Sequence, residues 1–308
     1  MPTRTTVVVD QDGGLDDALA LILLARAPGI EIVGIGSVHG NVTAEAAASN
    51  GLRALELGGN RTTPVAVGAA EPLAQPLHLA HPEDLLGKLA GAPKRAPAPA
   101  ETAAEQLVRL AHEHAGEIDL LTLGPLTNIA LALRAEPELP RLLRRVVSMA
   151  GALTVKGNIS EHAESNVWHD PEAAAEVMTA GFDLTLVPLD VTRKATVTRL
   201  WARTPRDRPG PALGASRRNA PGSLGKLPAF RSMTLWPARF LSTRRPQRID
   251  LHRSRSISRT IIADRPAQPK PTLDRLAGPA ESVRRAPAEQ DGPLGHRRAP
   301  EARRVGGA

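Results

Sequence analysis

Along residues 1–190 the chain repeats one unit: a short apolar run, a polar turn, then a stretch whose apolar positions recur three and four apart. Residues 5–10, 30–38, 63–67, 118–123, 145–149 and 183–189 read as strands. The first is a continuous apolar run ending in acids, the pattern of a central parallel strand. Residues 16–26, 44–57, 101–114, 127–135 and 171–180 read as helices, and 16–26 opens with acids that suit a helix N-terminus. Residues 91–100 are rich in Pro and Ala and read as a loop. Strands alternating with helices predict a doubly wound, mostly parallel α/β sheet with helices on both faces. Ligands of such sheets bind beyond the carboxyl ends of the strands. Polar residues gather at those ends here, at 10–17, 39–41, 127–128 and 157–166.

The pattern stops after about residue 197. Residues 201–308 hold 21 Arg, 2 Lys and 14 Pro with no sustained period, which predicts an irregular or disordered Arg/Pro-rich tail. The division predicted is an α/β domain over 1–198 and a tail over 199–308. Charge splits at the same place. Residues 1–200 carry 16 basic and 24 acidic side chains, a net of −8; residues 201–308 carry 23 and 8, a net of +15. The overall +7 is therefore a property of the tail. Two origins fit this composition: a GC-rich gene read in a displaced frame, or a natural basic tail that binds nucleic acid. Scarce Lys and the abrupt switch favour the first, so nucleic acid is not the expected partner.

The chain has no Cys, which excludes disulfides, thiolate metal sites and a thiol nucleophile. It has no Tyr and only 2% aromatic residues. No apolar run is long enough to span a bilayer and no apolar leader precedes the first strand, so a cytoplasmic location away from membranes is expected.

Four acids stand within eight residues: Asp10, Asp12, Asp16 and Asp17. Crowding them between a buried strand and a helix is costly unless a cation lies among them, and oxygen-only donors suit calcium or magnesium. Helix capping is the plainer role for one or two of them. His39-Gly40-Asn41 closes the second strand, where Asn41 serves either as a cap or in the site. Gly124-Pro-Leu-Thr127-Asn128 precedes a helix; Thr127 or Asn128 caps it, or the turn aims a backbone carbonyl at a cation. Asn158, Glu164 and Asn166 offer mixed donors and acceptors, which suit a sugar. Asp170-Pro171 reads as a cap followed by a first-turn Pro. His162 and His169 read as surface or packing residues, and 81–87 as a polar loop.

In this order the segments resemble the inosine–uridine-preferring nucleoside hydrolase family. The family's opening Asp-x-Asp-Pro-Gly-x-Asp-Asp-Ala is similar to Asp10 through Ala18, and its Gly-Pro-Leu-Thr-Asn-Ile-Ala stands unchanged at 124–130. Gly40-Asn41, Gly157-Asn158, Ala163-Glu164-Ser165-Asn166, Asp170 to Ala174 and Leu189 to Thr192 follow in register, over about 7–197. The resemblance implies hydrolysis of the N-glycosidic bond of ribonucleosides, releasing ribose and base, with Ca2+ as cofactor. It implies Asp12 as general base, metal ligands Asp12, Asp17 and the Thr127 carbonyl, and Asp10 in support behind them. Asp16, Asn41, Asn158, Glu164 and Asn166 would hold the ribose, and His81 would face the base or its lid. A ribonucleoside is the expected partner, purine or pyrimidine, and a homo-oligomer is left open.

Several positions depart from the family. Gly13 replaces Pro, Ala150 a Gly and Ser165 a Phe, while Pro82 and Leu85 replace two Gly of the 81–87 loop. The family's His-Asp-Pro segment is expected within 235–260, where this chain has Leu251-His252-Arg253-Ser254. Arg253 would repel a cation that the family's carboxylate attracts. The expectation for this chain is therefore weak calcium binding and little activity. Two other functions suit parts of the sequence. A haloacid-dehalogenase-like phosphatase would use Asp10-Gln-Asp12-Gly13, and a nucleic-acid binder would use the tail.

Overall fold

Three valines show why the first strand is central. In β1 (Thr5–Gln11), Val7 and Val9 enter one core and Val8 enters the other, each almost wholly buried. The computed structural model describes residues 4–98, 100–197 and 230–231. After β1 come α1 (Leu15–Arg26), β2 (Ile30–Ser37), α2 (Ala44–Gly58), β3 (Val65–Val67), α3 (Leu85–Ala90) and α4 (Ala103–Glu113). β4 (Ile118–Thr122), α5 (Thr127–Ala135), α6 (Leu139–Leu142), β5 (Arg145–Ser148), α7 (Ser165–His169), α8 (Pro171–Thr179), β6 (Leu184–Leu186) and α9 (Leu189–Thr192) follow. β7 (Thr196–Val197) pairs antiparallel with β8 (Phe230–Arg231).

The main sheet has six strands in the order β3-β2-β1-β4-β5-β6, and its neighbours are all parallel. The chain winds outward from β1 to β3, returns to the other side of β1 at β4, and winds outward again to β6. The order therefore reverses between β1 and β4, and a crevice opens beyond their carboxyl ends at Gln11 and Thr122. The predicted doubly wound α/β sheet is what forms.

β2 departs from strict alternation. Ile32 and Ile35, three apart, both enter the core that holds Val7 and Val9. The register explains it. Val7 pairs with Ile32 but Val8 pairs with Gly34, so Val33 is an extra residue that flips the side-chain alternation. Gly34 and Gly36 then leave space beside α4 and Asp10: a Cβ on Gly36 would stand 2.4 Å from Asp10 Oδ1.

Differences from the predicted boundaries have local causes. Pro64 precedes β3, accepting from Ile35 N–H through its carbonyl, and the strand starts only at Val65. Pro188 caps α9, so the strand expected over 183–189 stops at Leu186. The helix expected from 101 starts at Ala103, because Thr102 and Glu105 cap each other reciprocally. α3, α6, α7 and α9 are four to six residues long, too short for a periodic signal. The predicted tail over 199–308 lies outside the described residues apart from β8. Among the described residues no helix is long and apolar enough to cross a membrane.

Leu121, fully buried in the middle of β4, tests this packing. Leu121→Ala is expected to cost about 2–5 kcal/mol in urea unfolding. A loss under about 0.5 kcal/mol, the range of surface substitutions, would contradict a central β4.

Candidate active site

The loop from β1 to α1 places four carboxylates. Asp10 closes β1, Asp12 sits in the turn, and Asp16 and Asp17 occupy the first turn of α1. Asp10, Asp12 and Asp17 are 3%, 3% and 1% exposed, an unusual depth for acids. Backbone and amide groups hold them. Asp17 Oδ2 accepts from Gly14 N–H at 3.0 Å and from Asp12 N–H at 3.3 Å. Asp12 takes Asn41 N–H on Oδ2 at 2.9 Å and Asn41 Nδ2 on Oδ1 at 2.8 Å. Gly40 makes that clamp possible: its φ is 151°, and a Cβ there would lie 2.3 Å from Asp12 Oδ2. Gly124 does the same from the other side, where a Cβ would meet Asp12 Cβ at 2.8 Å.

Asn128 secures the second row. Its Nδ2 donates to Asp10 Oδ1 at 2.8 Å and to the Ser37 carbonyl at 2.9 Å, while its Oδ1 accepts from Ala69 N–H at 2.8 Å. Of the two readings of this turn, the one in which Thr127 or Asn128 caps the helix is not what forms. The α5 cap is Leu126, which has no side-chain bond, and both polar side chains turn inward instead. Thr127 Oγ1 donates to Asp170 Oδ2 at 2.7 Å. Asn41 likewise leaves the cap of α2 to Thr43, whose hydroxyl accepts from Ala46 N–H. Asp170 is the expected cap of α8 with Pro171 behind it, and it also accepts from Leu73 N–H.

Glu164 caps α7 with both oxygens, taking Asn166 N–H at 3.0 Å, Val167 N–H at 3.2 Å and Gly151 N–H at 3.1 Å. Both Nδ2 hydrogens of Asn166 go to carbonyls, of Leu123 at 2.8 Å and Met149 at 2.9 Å. Its Oδ1 remains, so Asn166 offers an acceptor where the sequence suggested a mixed group. Asn158 Oδ1 accepts from Ser165 N–H at 2.8 Å.

These side chains surround a cavity of about 360 Å³ beyond the sheet. Asp16, Asp17, Asn41, His81, Asn158, Glu164 and Asn166 all line it. Neither Asp12 nor Thr127 is part of the wall. His78 is, a residue the sequence reading did not select. Its ring meets the Trp168 ring edge-on at 5.1 Å and lies 5.5 Å from that of His169. His169 is a buried packing residue and His162 is exposed, both as expected. His39 was also missed. It is fully buried and its Nε2 lies 3.0 Å from Thr127 Oγ1. A histidine ending an apolar run just before Gly-Asn was the available signal.

The electrostatics are lopsided. Burial raises Asp10 to about 7, against the Asn128 bond and with help from the Asp12 charge. Asp17 is raised well above its ordinary value by burial, then by the charges of Asp12 and Asp16, and it lies within hydrogen-bonding reach of Asp12. Burial lifts Glu164 to about 7, despite three N–H donors. Among the described residues no ion pair involves Asp10, Asp12, Asp17 or Glu164. A donor set of carboxylate and carbonyl oxygen without a protein cation fits a hard divalent ion. The groups are not preset for one: no three acidic or imidazole side chains among the described residues already stand in a coordinating arrangement.

A polar, acid-rich cavity thus lies at the switch point of a doubly wound sheet, the place where ligands of α/β proteins bind. The sequence model of the inosine-uridine preferring nucleoside hydrolases matches residues 7–233, and the chain belongs to that family. The match continues past 197, where the motif resemblance ends. A probable uridine nucleosidase of Oryza sativa subsp. japonica is 37% identical over 204 residues, 63% of this chain and 61% of the relative. A pyrimidine-specific ribonucleoside hydrolase, RihA, of Salmonella enteritidis is 39% identical over 195 residues, 62% of each. Among solved structures, a plant nucleoside hydrolase aligns with a TM-score of 0.60 and 32% identity, over 64% of this chain and 63% of that one. The inosine-uridine preferring enzyme of Bacillus anthracis aligns with 0.62 and 25%, over 77% and 81%. The chain spans about three fifths of the length of the curated relatives it matches.

Asn128 joins Asp10, Ser37 and Ala69 with one amide, so removing it strands two buried groups and one half-buried N–H. Asn128→Ala is expected to lower unfolding free energy by about 3 kcal/mol or more, from about 1–3 kcal/mol per stranded group. An unchanged urea midpoint would contradict the network.

Proposed function

We propose that this chain hydrolyses the N-glycosidic bond of a ribonucleoside, with calcium as its cofactor, and that it does so slowly. The observation that carries the reading is convergence: seven side chains from four separate loops face one cavity. Its volume, about 360 Å³, lies in the range of small-ligand sites. The family names a nucleoside substrate, and the donor set of the cavity is that of a sugar site.

Asp12 and Asp17, with the Thr127 carbonyl, would hold the calcium. When bound, the ion supplies positive charge that orients the sugar diol and acidifies a water. Asp12 takes the proton of the attacking water. Asp10 stands just behind, held by Asn128. Asp16, Asn41, Asn158, Glu164 and Asn166 grip the ribose hydroxyls. Glu164 has both oxygens committed to N–H groups, so it is a fixed acceptor rather than a swinging one. As the bond breaks, the sugar carbon becomes cationic, and this acidic wall stabilises it. His81, exposed at the rim, faces the leaving base.

Slowness follows from the 251–254 stretch, outside the described residues, where His252 is followed by Arg253 in place of a carboxylate. The setting proposed is salvage of purine or pyrimidine bases in the cytoplasm. The phosphatase reading is weaker because it gives no role to Asp16, Asp17, Glu164 and Asn166, all of which line the cavity.

Base release from uridine and inosine is expected to be measurable but far below that of an intact relative, and to fall a further ~10²–10⁴-fold in Asp12→Asn. Release unaffected by that substitution would sink the proposed role, and release at an intact relative's rate would sink the claim of slowness. Calcium is expected to raise the melting temperature of the wild type and not that of Asp17→Asn; equal shifts would place the ion elsewhere.

A further inference from the structure

We infer that His39 is a positioning residue for the cation, acting through Thr127. The inference rests on the proposed calcium site and goes beyond it, since His39 is neither a proposed ligand nor part of the cavity wall.

The argument starts from proton bookkeeping at Thr127. A hydroxyl has one proton, and Thr127 gives it to Asp170 Oδ2 at 2.7 Å. Its contact with His39 Nε2 at 3.0 Å must then run the other way, with the imidazole donating. The tautomer of His39 is thereby fixed, with the proton on Nε2 and a bare Nδ1. That Nδ1 is buried and has no partner among the described residues. Leaving a buried acceptor unmatched is a cost that an aliphatic side chain would avoid. The neighbouring buried residues, Val38 and Val42, are aliphatic. Packing alone therefore does not account for an imidazole at 39; the Nε2 donor does.

That donor completes a three-membered chain from His39 to Thr127 to Asp170. Asp170 is itself immobile, since it caps α8 through Ala173 N–H and holds Leu73 N–H. Thr127 is thus gripped from both sides at the first position of α5. Its carbonyl, the proposed third protein ligand, cannot turn without breaking one of these bonds. Partners of this kind, one shell out from a metal, orient the ligands and typically change affinity by about 10–100-fold.

The test is calorimetric titration of the full chain with calcium chloride, apart from any activity. His39→Leu is expected to weaken binding about tenfold or more, while His39→Gln, which keeps a donor near Nε2, stays close to wild type. Leu121→Ala, destabilised elsewhere in the core, is expected to bind as wild type does. If His39→Leu does not fold, Thr127→Val removes the hydroxyl alone and carries the same expectation. Wild-type affinity in His39→Leu or in Thr127→Val overturns the inference, and so does an equal loss in Leu121→Ala. A wild type that takes up no calcium overturns the proposed cation site itself, and this inference with it.

Discussion

Burying carboxylates without a cationic side chain is the constraint on which the site depends. Asp10, Asp12, Asp17 and Glu164 are each at most 3% exposed. Moving a lone ionised carboxylate out of water is among the costliest events in folding. The chain offsets part of that cost with dipoles: three backbone N–H groups on Glu164, two on Asp17, and amides from Asn41 and Asn128 on Asp12 and Asp10. What dipoles leave unbalanced shows in the raised Asp10, Asp17 and Glu164. The proposed divalent ion would offset the remainder.

The fold makes this crowding possible. The reversal of strand order between β1 and β4 opens a gap into which no crossover helix falls, and four loops reach it. Close approach then depends on missing side chains. Gly40 and Gly124 press on Asp12 from opposite sides, and Gly36 leaves room for Asp10. Positive charge lies elsewhere. Arg144 and Arg145 both hold Asp119, near the amino end of β4, at the opposite edge of the sheet from the cavity.

The architecture was legible because strands and helices of ordinary length keep their periods. β1, β2, β4 and β5 lie within a residue or two of their predicted limits, and α5 matches at both ends. Short elements escaped, since a helix of four to six residues is set by its caps and not by a pattern. The Val33 bulge escaped too, because an extra residue is invisible until a partner strand gives a register. The acids, Asn41, Asn158, Glu164 and Asn166 were legible as a cluster of costly residue types, and the cavity gathers all but Asp10 and Asp12. Direction was not legible. Asn128 and Thr127 looked like caps because sequence does not tell which way a polar side chain turns at the start of a helix. His39 and His78 stand in loops, where no period marks which side chains turn inward.

One backbone detail ties the loop at His81 to Asp12. Ala80 N–H donates to the Gly40 carbonyl at 2.9 Å, and His81 N–H to the Asn41 carbonyl at 2.7 Å. Asn41 in turn grips both oxygens of Asp12. The proposed base-facing rim and the proposed general base are therefore joined through His81, Asn41 and Asp12 by hydrogen bonds alone. A displacement of the rim loop would be carried along these bonds to Asp12.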